Sequence, residues 1–307
     1  MSTLLFTTTT TTTTRRLAPR MTRRCFHPSS TNSMKENTVL VLGSTGALGS
    51  AVANHLASLG ATVIGADIQE GSNFLKGGFV PLPHPGPKPT LAEITCRLTE
   101  GVGTILEETN DSLNAVVVAS GGWEADPPMN GNDDFEESAT RYGDSIERML
   151  RMNTYPVLAA GHVVRQFIRE DDGLFVVMGA TAALQTTPGM MGYGVSKSAA
   201  HHYLQSYGML TETALTTKAQ RKQTKPLRKQ TPASFDTLTM VGILPTMLDT
   251  PANREAMPDA NTASWTRTQD IASEIGNWME KPFLRPHSGS LVKVFGTANG
   301  AKFQLVR

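Results

Sequence analysis

Residues 38–50 read TVLVLGSTGALGS, and the reading of this stretch decides the fold. The run 38–42 is short, apolar and rich in β-branched residues, which suits a strand buried on both faces. Gly43 ends it, glycines recur at 46 and 49, and a helical stretch then runs to Gly60, a C-terminal stop signal. A second apolar run, 62–66, closes at Asp67. Outward from this unit the alternation continues. Apolar runs at 114–119, 173–178 and 237–244 are interleaved with helix-length segments at 91–108, 138–168, 193–210 and 266–281. Strands alternating with helices predict an α/β chain with a parallel sheet covered on both sides.

Composition narrows the class. The chain has 307 residues, 28 Lys+Arg against 27 Asp+Glu, and a formal charge of +1. Near neutrality gives no overall footprint for nucleic acid. No run of 18 apolar residues is present, so no membrane span is expected. Two cysteines, Cys25 and Cys96, cannot form a disulfide framework or a cysteine-rich zinc site, and a reducing compartment is expected. The seven histidines lack metal-ligand spacing, so no metal site is expected. The segment 1–34 carries Arg15, Arg16, Arg20, Arg23 and Arg24, eight threonines from Thr7 to Thr14, and no acid; without it the balance falls to about −4. It reads as a mitochondrial or plastid transit peptide, or as a disordered leader before a domain at 35–307. A second basic stretch, 212–236, reads as a solvated surface insertion, with an anionic partner as the alternative. The prolines of PLPHPGPKP, residues 81–89, predict an extended loop, and Asp133, Asp134, Glu136 and Glu137 a solvated acidic stretch.

The glycine turn carries chemistry. Gly43 permits a tight turn, Gly46 lets a pyrophosphate approach the backbone, and the following helix N-terminus favours negative charge. Asp67, 24 residues beyond Gly43 at the end of the second strand, can accept the adenosine ribose hydroxyls and would repel a 2′-phosphate. Neither Ser44 nor Thr45 supplies a cation for such a phosphate. The prediction is a doubly wound Rossmann-type single domain that binds NADH, with NADPH weaker.

Residues 188–197 read PGMMGYGVSK. Tyr193 and Lys197, four apart, stand on one helix face as an acid–base pair. A lysine ammonium beside the phenol is expected to lower its pKa from about 10 toward working pH, and can also hold the nicotinamide ribose.

In this order, glycine turn, strand-end acid and Tyr-x-x-x-Lys, the chain resembles the short-chain dehydrogenase/reductase family. The resemblance implies a catalytic Asn in the preceding helix, which would be Asn153; a plain helix-surface amide is the alternative. Pro156 cannot donate to the Met152 carbonyl and so supports an irregularity there. The family's catalytic Ser falls on Ala180, with Thr181 beside it. Either Thr181 substitutes for that hydroxyl, or the substrate does not need one.

Gly121-Gly122-Trp123, PGMMGYGVSK, the stretch LPTMLDTPANREAMPDANTASWT at 244–266 and RPHSGSL at 285–291 are similar to the dihydropteridine reductase branch, which carries Ala at the Ser position. That resemblance implies hydride transfer from NADH to a quinonoid dihydropterin, with the proton from Tyr193 and a tetrahydropterin as product. It implies cofactor contacts at Gly43, Ser44, Thr45, Gly46, Ala47, Leu48, Asp67, Gly121, Lys197 and Pro245. On the substrate side it implies Tyr193, Thr250 and Trp123, the indole serving as a stacking surface. Trp123 as a core or loop-anchoring indole is the alternative. A homodimer through 138–168 and 193–210 and a cytoplasmic location are further implications. Two other functions stay open: a short-chain reductase of a quinone or ketone, and a non-catalytic dinucleotide sensor or scaffold.

Overall fold

A computed structural model describes residues 34–69, 76–83, 88–128, 134–169, 171–221 and 237–306. The leader up to residue 33 and the basic stretch from 222 to 236 lie outside the described residues. Eight strands form the main sheet: β1 (Thr38–Leu42), β2 (Thr62–Asp67), β3 (Phe79–Pro81), β4 (Ala115–Val118), β5 (Leu174–Met178), β6 (Thr239–Pro245), β9 (Ser290–Thr297) and β10 (Gly300–Leu305). Their order is β10-β9-β6-β5-β4-β1-β2-β3. All neighbours run parallel except β10, which returns antiparallel on β9. Two short strands, β7 (Leu248–Asp249) and β8 (Thr266–Arg267), pair separately.

The alternation of β1 explains how both faces are covered. Val39 and Val41 join a cluster with Val52 and Leu56 of α1 (Ala47–Ser58) and with Ile271, Ile275 and Trp278 of α7 (Thr268–Glu280). Leu40 and Leu42 join the opposite cluster. It includes Leu98 and Val102 of α2 (Leu91–Thr109), Val163 of α4 (Tyr155–Phe167) and Leu204 of α5 (Met191–Arg221). All four β1 side chains are fully buried, each stabilising the fold by about 1.5–3 kcal/mol.

The chain leaves β1 toward β2 and β3, then crosses back to β4 on the other side. That reversal opens a crevice beyond the carboxyl ends of β1 and β4, where an open α/β sheet takes its ligand.

The structure departs from expectation in three places. The single helix expected over 138–168 is two helices, α3 (Phe135–Asn153) and α4, broken at Thr154. Pro156 has no N–H for the Met152 carbonyl, and the regular ladder resumes with Leu158 N–H to Thr154 O at 3.1 Å. Strands β3, β9 and β10 extend the sheet beyond the expected runs, because their burial is mixed rather than continuous. The stretch 244–266 folds as an excursion holding β7, the short helix α6 (Pro251–Ala256) and a 3-10 turn at Thr262–Ser264 before β8. Among the described residues, no helix is long and apolar enough to cross a membrane, and no group of three or more His, Cys, Asp or Glu could hold a metal ion.

Candidate active site at the carboxyl ends of the sheet

A cavity of about 470 Å³ occupies the crevice, lined by Gly43, Thr45, Gly46, Asp67 and Gly121. Gly43 has φ +76°, and a Cβ there would lie 2.6 Å from the Ser120 nitrogen, so β1 and β4 can end side by side only with glycine. A Cβ on Gly49 would lie 1.8 Å from the Gly43 carbonyl oxygen, so α1 docks on the turn only without a side chain. Gly46 differs: a Cβ would meet nothing nearer than the Gly43 oxygen at 3.5 Å, leaving the space open to a ligand. The α1 N-terminus has no side-chain cap, and the buried Ser44 hydroxyl has no hydrogen-bond partner in the structure. An open glycine, an uncapped helix and an orphan hydroxyl fit a dinucleotide pyrophosphate.

Asp67 stands at the β2 end of this cavity. Its Oδ2 accepts the Thr45 N–H at 2.9 Å and the Thr45 hydroxyl at 2.7 Å, while Oδ1 accepts the Ile68 N–H at 2.7 Å. Thr45 therefore orients the carboxylate, a partnership the spacing of the sequence did not reveal. Three basic side chains also line the cavity, and each is paired: Lys88 with Asp144, Arg148 with Glu124, and Arg151 with Glu147.

Lys197 and Asn153 converge on Gly121, where a Cβ would lie 2.8 Å from Asn153 Oδ1 and 2.9 Å from Lys197 Nζ. Lys197 is 5% exposed and donates to the Met178 carbonyl at the end of β5, at 3.0 Å. Burial without a counter-charge pulls its ammonium down to about 8. Tyr193 shares the first turns of α5, but its phenol is not lowered as expected. Burial pushes it up instead, because solvent is removed from a group on which no positive charge acts appreciably. The surface-amide alternative for Asn153 is overturned: it is 1% exposed, with its amide bonded to Gly122 and to the Ser196 hydroxyl.

Ala180, at the position of the family's Ser, is buried and donates its N–H to His201 Nε2 at 3.2 Å. His201 is therefore a neutral acceptor, and burial with the nearby Lys197 charge pulls it down to about 4. The Thr181 hydroxyl donates to the Pro245 carbonyl at 3.3 Å, so it is already engaged and does not stand in as a free donor. Trp123 is not a core indole: it is 63% exposed just beyond β4, and its Nε1–H points to Met190 Sδ at 3.2 Å. Thr250 caps α6, accepting the Asn253 N–H at 3.2 Å.

Ser196, Met190, Glu124 and Arg148 complete this neighbourhood. Glu124 and Arg148 carried no signal in the sequence, and Met190 and Ser196 stood inside PGMMGYGVSK without a sign of their partners Trp123 and Asn153, which are distant along the chain.

No protein-family model matches the chain. It is 31% identical over 258 residues to the dihydropteridine reductase of Dictyostelium discoideum, covering 83% of this chain and 93% of that one. Among solved structures, it is similar to a short-chain dehydrogenase from Burkholderia cenocepacia in complex with NADP. There the TM-score is 0.58 at 17% identity, covering 88% of this chain and all of that one (100%). A 3-ketoacyl-(acyl-carrier-protein) reductase from Brucella melitensis complexed with NADH gives a TM-score of 0.58 at 14% identity, covering 85% and 97%. The fold is thus the one these short-chain dehydrogenases and reductases share, and together with the kinship to a dihydropteridine reductase it makes the chain a nicotinamide-dinucleotide oxidoreductase of that type. Within that class, the chain belongs to the dihydropteridine reductase family.

Proposed function

We propose that the enzyme is an NADH-dependent 6,7-dihydropteridine reductase, converting quinonoid dihydropterin to tetrahydropterin. The observation that carries this reading is the donor-poor catalytic face. Ala180 offers no hydroxyl, its N–H is spent on His201, and the Thr181 hydroxyl is spent on Pro245. Such a face is poorly suited to a localised oxyanion and adequate for a conjugated ring that spreads its developing charge. The kinship with a dihydropteridine reductase and the exposed Trp123 indole support the same substrate.

The bound nicotinamide supplies the hydride. Tyr193 gives up its hydroxyl proton to a ring nitrogen, which suits a phenol held protonated by burial. Lys197, whose ammonium lies against Gly121, holds the nicotinamide ribose, and Trp123 offers a flat apolar surface to the pterin. Asp67 accepts the adenosine ribose hydroxyls. The pairing of Lys88, Arg148 and Arg151 leaves no free cation on the cavity wall for a 2′-phosphate among the described residues, which supports NADH over NADPH. The reading includes a homodimer through α3 and α5, which expose Phe135, Tyr142 and Val195.

The test is NADH oxidation by the purified full-length chain with quinonoid dihydropterin generated in the cuvette, run beside NADPH and a simple quinone. Turnover with NADH and pterin, and little with the quinone, is expected. Tight NADH binding with no pterin turnover would shift the assignment to another reductase, or to a sensor if the quinone also failed.

A further inference from the structure

The segment leaving β4 is tied down at three successive alternate residues. Asn153 holds Gly122. Arg148 holds Glu124 through two parallel bonds, Nε to Oε2 at 2.7 Å and Nη2 to Oε1 at 2.8 Å. Both anchors come from α3. The third tie, at Asp126, reaches a different helix: its Oδ1 accepts the N–H of Met191 at 2.7 Å, and its own N–H donates to the Gly189 carbonyl at 2.8 Å. Met191 is the first residue of α5, and Tyr193 lies two residues further on.

First-turn N–H groups of a helix have no partner within it, and an adjacent residue usually supplies the acceptor. Here the acceptor comes from 65 residues away, on the segment that also carries Trp123. A local cap would stabilise α5 as well, but it would not add to the backbone bond at Gly189 and the indole contact with Met190 in holding the Trp123 segment in register with the helix. A carboxylate accepting a backbone N–H is also stronger than a neutral acceptor.

We infer that Asp126 is a positioning residue, setting the Trp123 segment in register with the first turn of the Tyr193 helix. This rests on the roles proposed above for Trp123 and Tyr193. Asp126 touches neither reacting centre, and its effect is geometric.

The test uses the full-length chain with Asp126→Ala, Asp126→Asn and Asp126→Glu. Asparagine keeps an oxygen at the same reach, alanine removes it, and glutamate moves it by one methylene. Asp126→Ala is expected to lose about 10- to 100-fold in kcat/KM for the pterin, with NADH affinity unchanged within about twofold. Asp126→Asn should stay within about threefold of the parent, and Asp126→Glu should fall between the two. Hydrogen exchange at the Met191 to Gly194 amides should quicken in the alanine variant and not in the asparagine variant.

Parent-like kcat/KM in Asp126→Ala would overturn the inference, as would an asparagine variant no better than alanine, or NADH affinity falling in step with turnover. Should the parent show no pterin turnover, the functional reading fails by itself. The exchange measurement then decides alone, and unchanged exchange in Asp126→Ala overturns the registration.

Discussion

Asn153 grips both backbone groups of Gly122: its Oδ1 accepts the N–H at 3.0 Å, and its Nδ2 donates to the C=O at 3.0 Å. The same Nδ2 also donates to the Ser196 hydroxyl at 3.0 Å, which in turn donates to the Tyr193 carbonyl at 2.8 Å. One buried amide thus joins the end of β4 to the helix carrying the Tyr–Lys pair. Because both N–H groups of the amide and its oxygen are engaged within the protein, we assign Asn153 a positioning role.

Asn153→Ala leaves Gly122 with two unmatched backbone groups. The expected cost is about 1–3 kcal/mol of stability, with kcat/KM falling by about tenfold or more. Chemical denaturation and steady-state kinetics measure the two effects separately. An unchanged denaturation midpoint would remove the bond network from the fold.

Tyr193→Phe tests the proton donor. Turnover is expected to fall by roughly 10²–10⁴ while NADH binding is kept. A change below about threefold in kcat would take Tyr193 out of that role, since general acids contribute far more.

Asp67→Ala should narrow the preference for NADH over NADPH by about tenfold or more, since a carboxylate facing a 2′-phosphate costs several kcal/mol. The ratio of kcat/KM values for the two dinucleotides reads this directly. Unchanged constants would sink the ribose assignment. Thr45→Val, which removes the hydroxyl bond to Asp67 Oδ2, should move the ratio in the same direction by less.

His201 makes stability depend on pH. Its folded pKa, about 4, lies below the unfolded value of 6.5, so the unfolded chain takes up the proton first. The contribution of the neutral imidazole is whole above about pH 6.5 and is lost as pH falls toward 4, an effect of about 3 kcal/mol. Denaturant titrations between pH 7 and 4 should show this slope, and His201→Gln, which keeps an acceptor for the Ala180 N–H, should flatten it. A slope of equal size in that variant would place the titration elsewhere.

How far the sequence carried the reading depends on the range of each interaction. The turn at Gly43, Gly46 and Gly49 was legible because a positive φ, a close helix contact and an open face all act within seven residues, whereas the close approach of Ser120 to Gly43 was not. The break beside Pro156 was legible for the same reason, although its position at Thr154 and the division into α3 and α4 were not. Strands β9 and β10 stayed hidden because they lie toward one edge of the sheet, where alternating exposure dilutes the apolar run.

The candidate site divides along the same line. That Tyr193 and Lys197 share a helix face follows from a spacing of four. The direction of the Tyr193 shift does not, because it depends on how much solvent the surrounding elements remove and on where the Lys197 ammonium turns. Ala180 was legible as a missing hydroxyl, while its bond to His201 needed α5 packed against the end of β5.

By itself, then, the sequence determined a doubly wound sheet, a glycine turn between β1 and α1 with Asp67 closing β2, and a Tyr–Lys pair on one helix, since backbone periodicity and short spacings decide these. Only the tertiary structure decided that Asn153 is buried on Gly122, that Trp123 is exposed beside Met190, and that Asp126 caps α5. Burial and partners of that kind arise where segments far apart in the chain meet at the carboxyl ends of the strands, and no local pattern encodes which ones will meet.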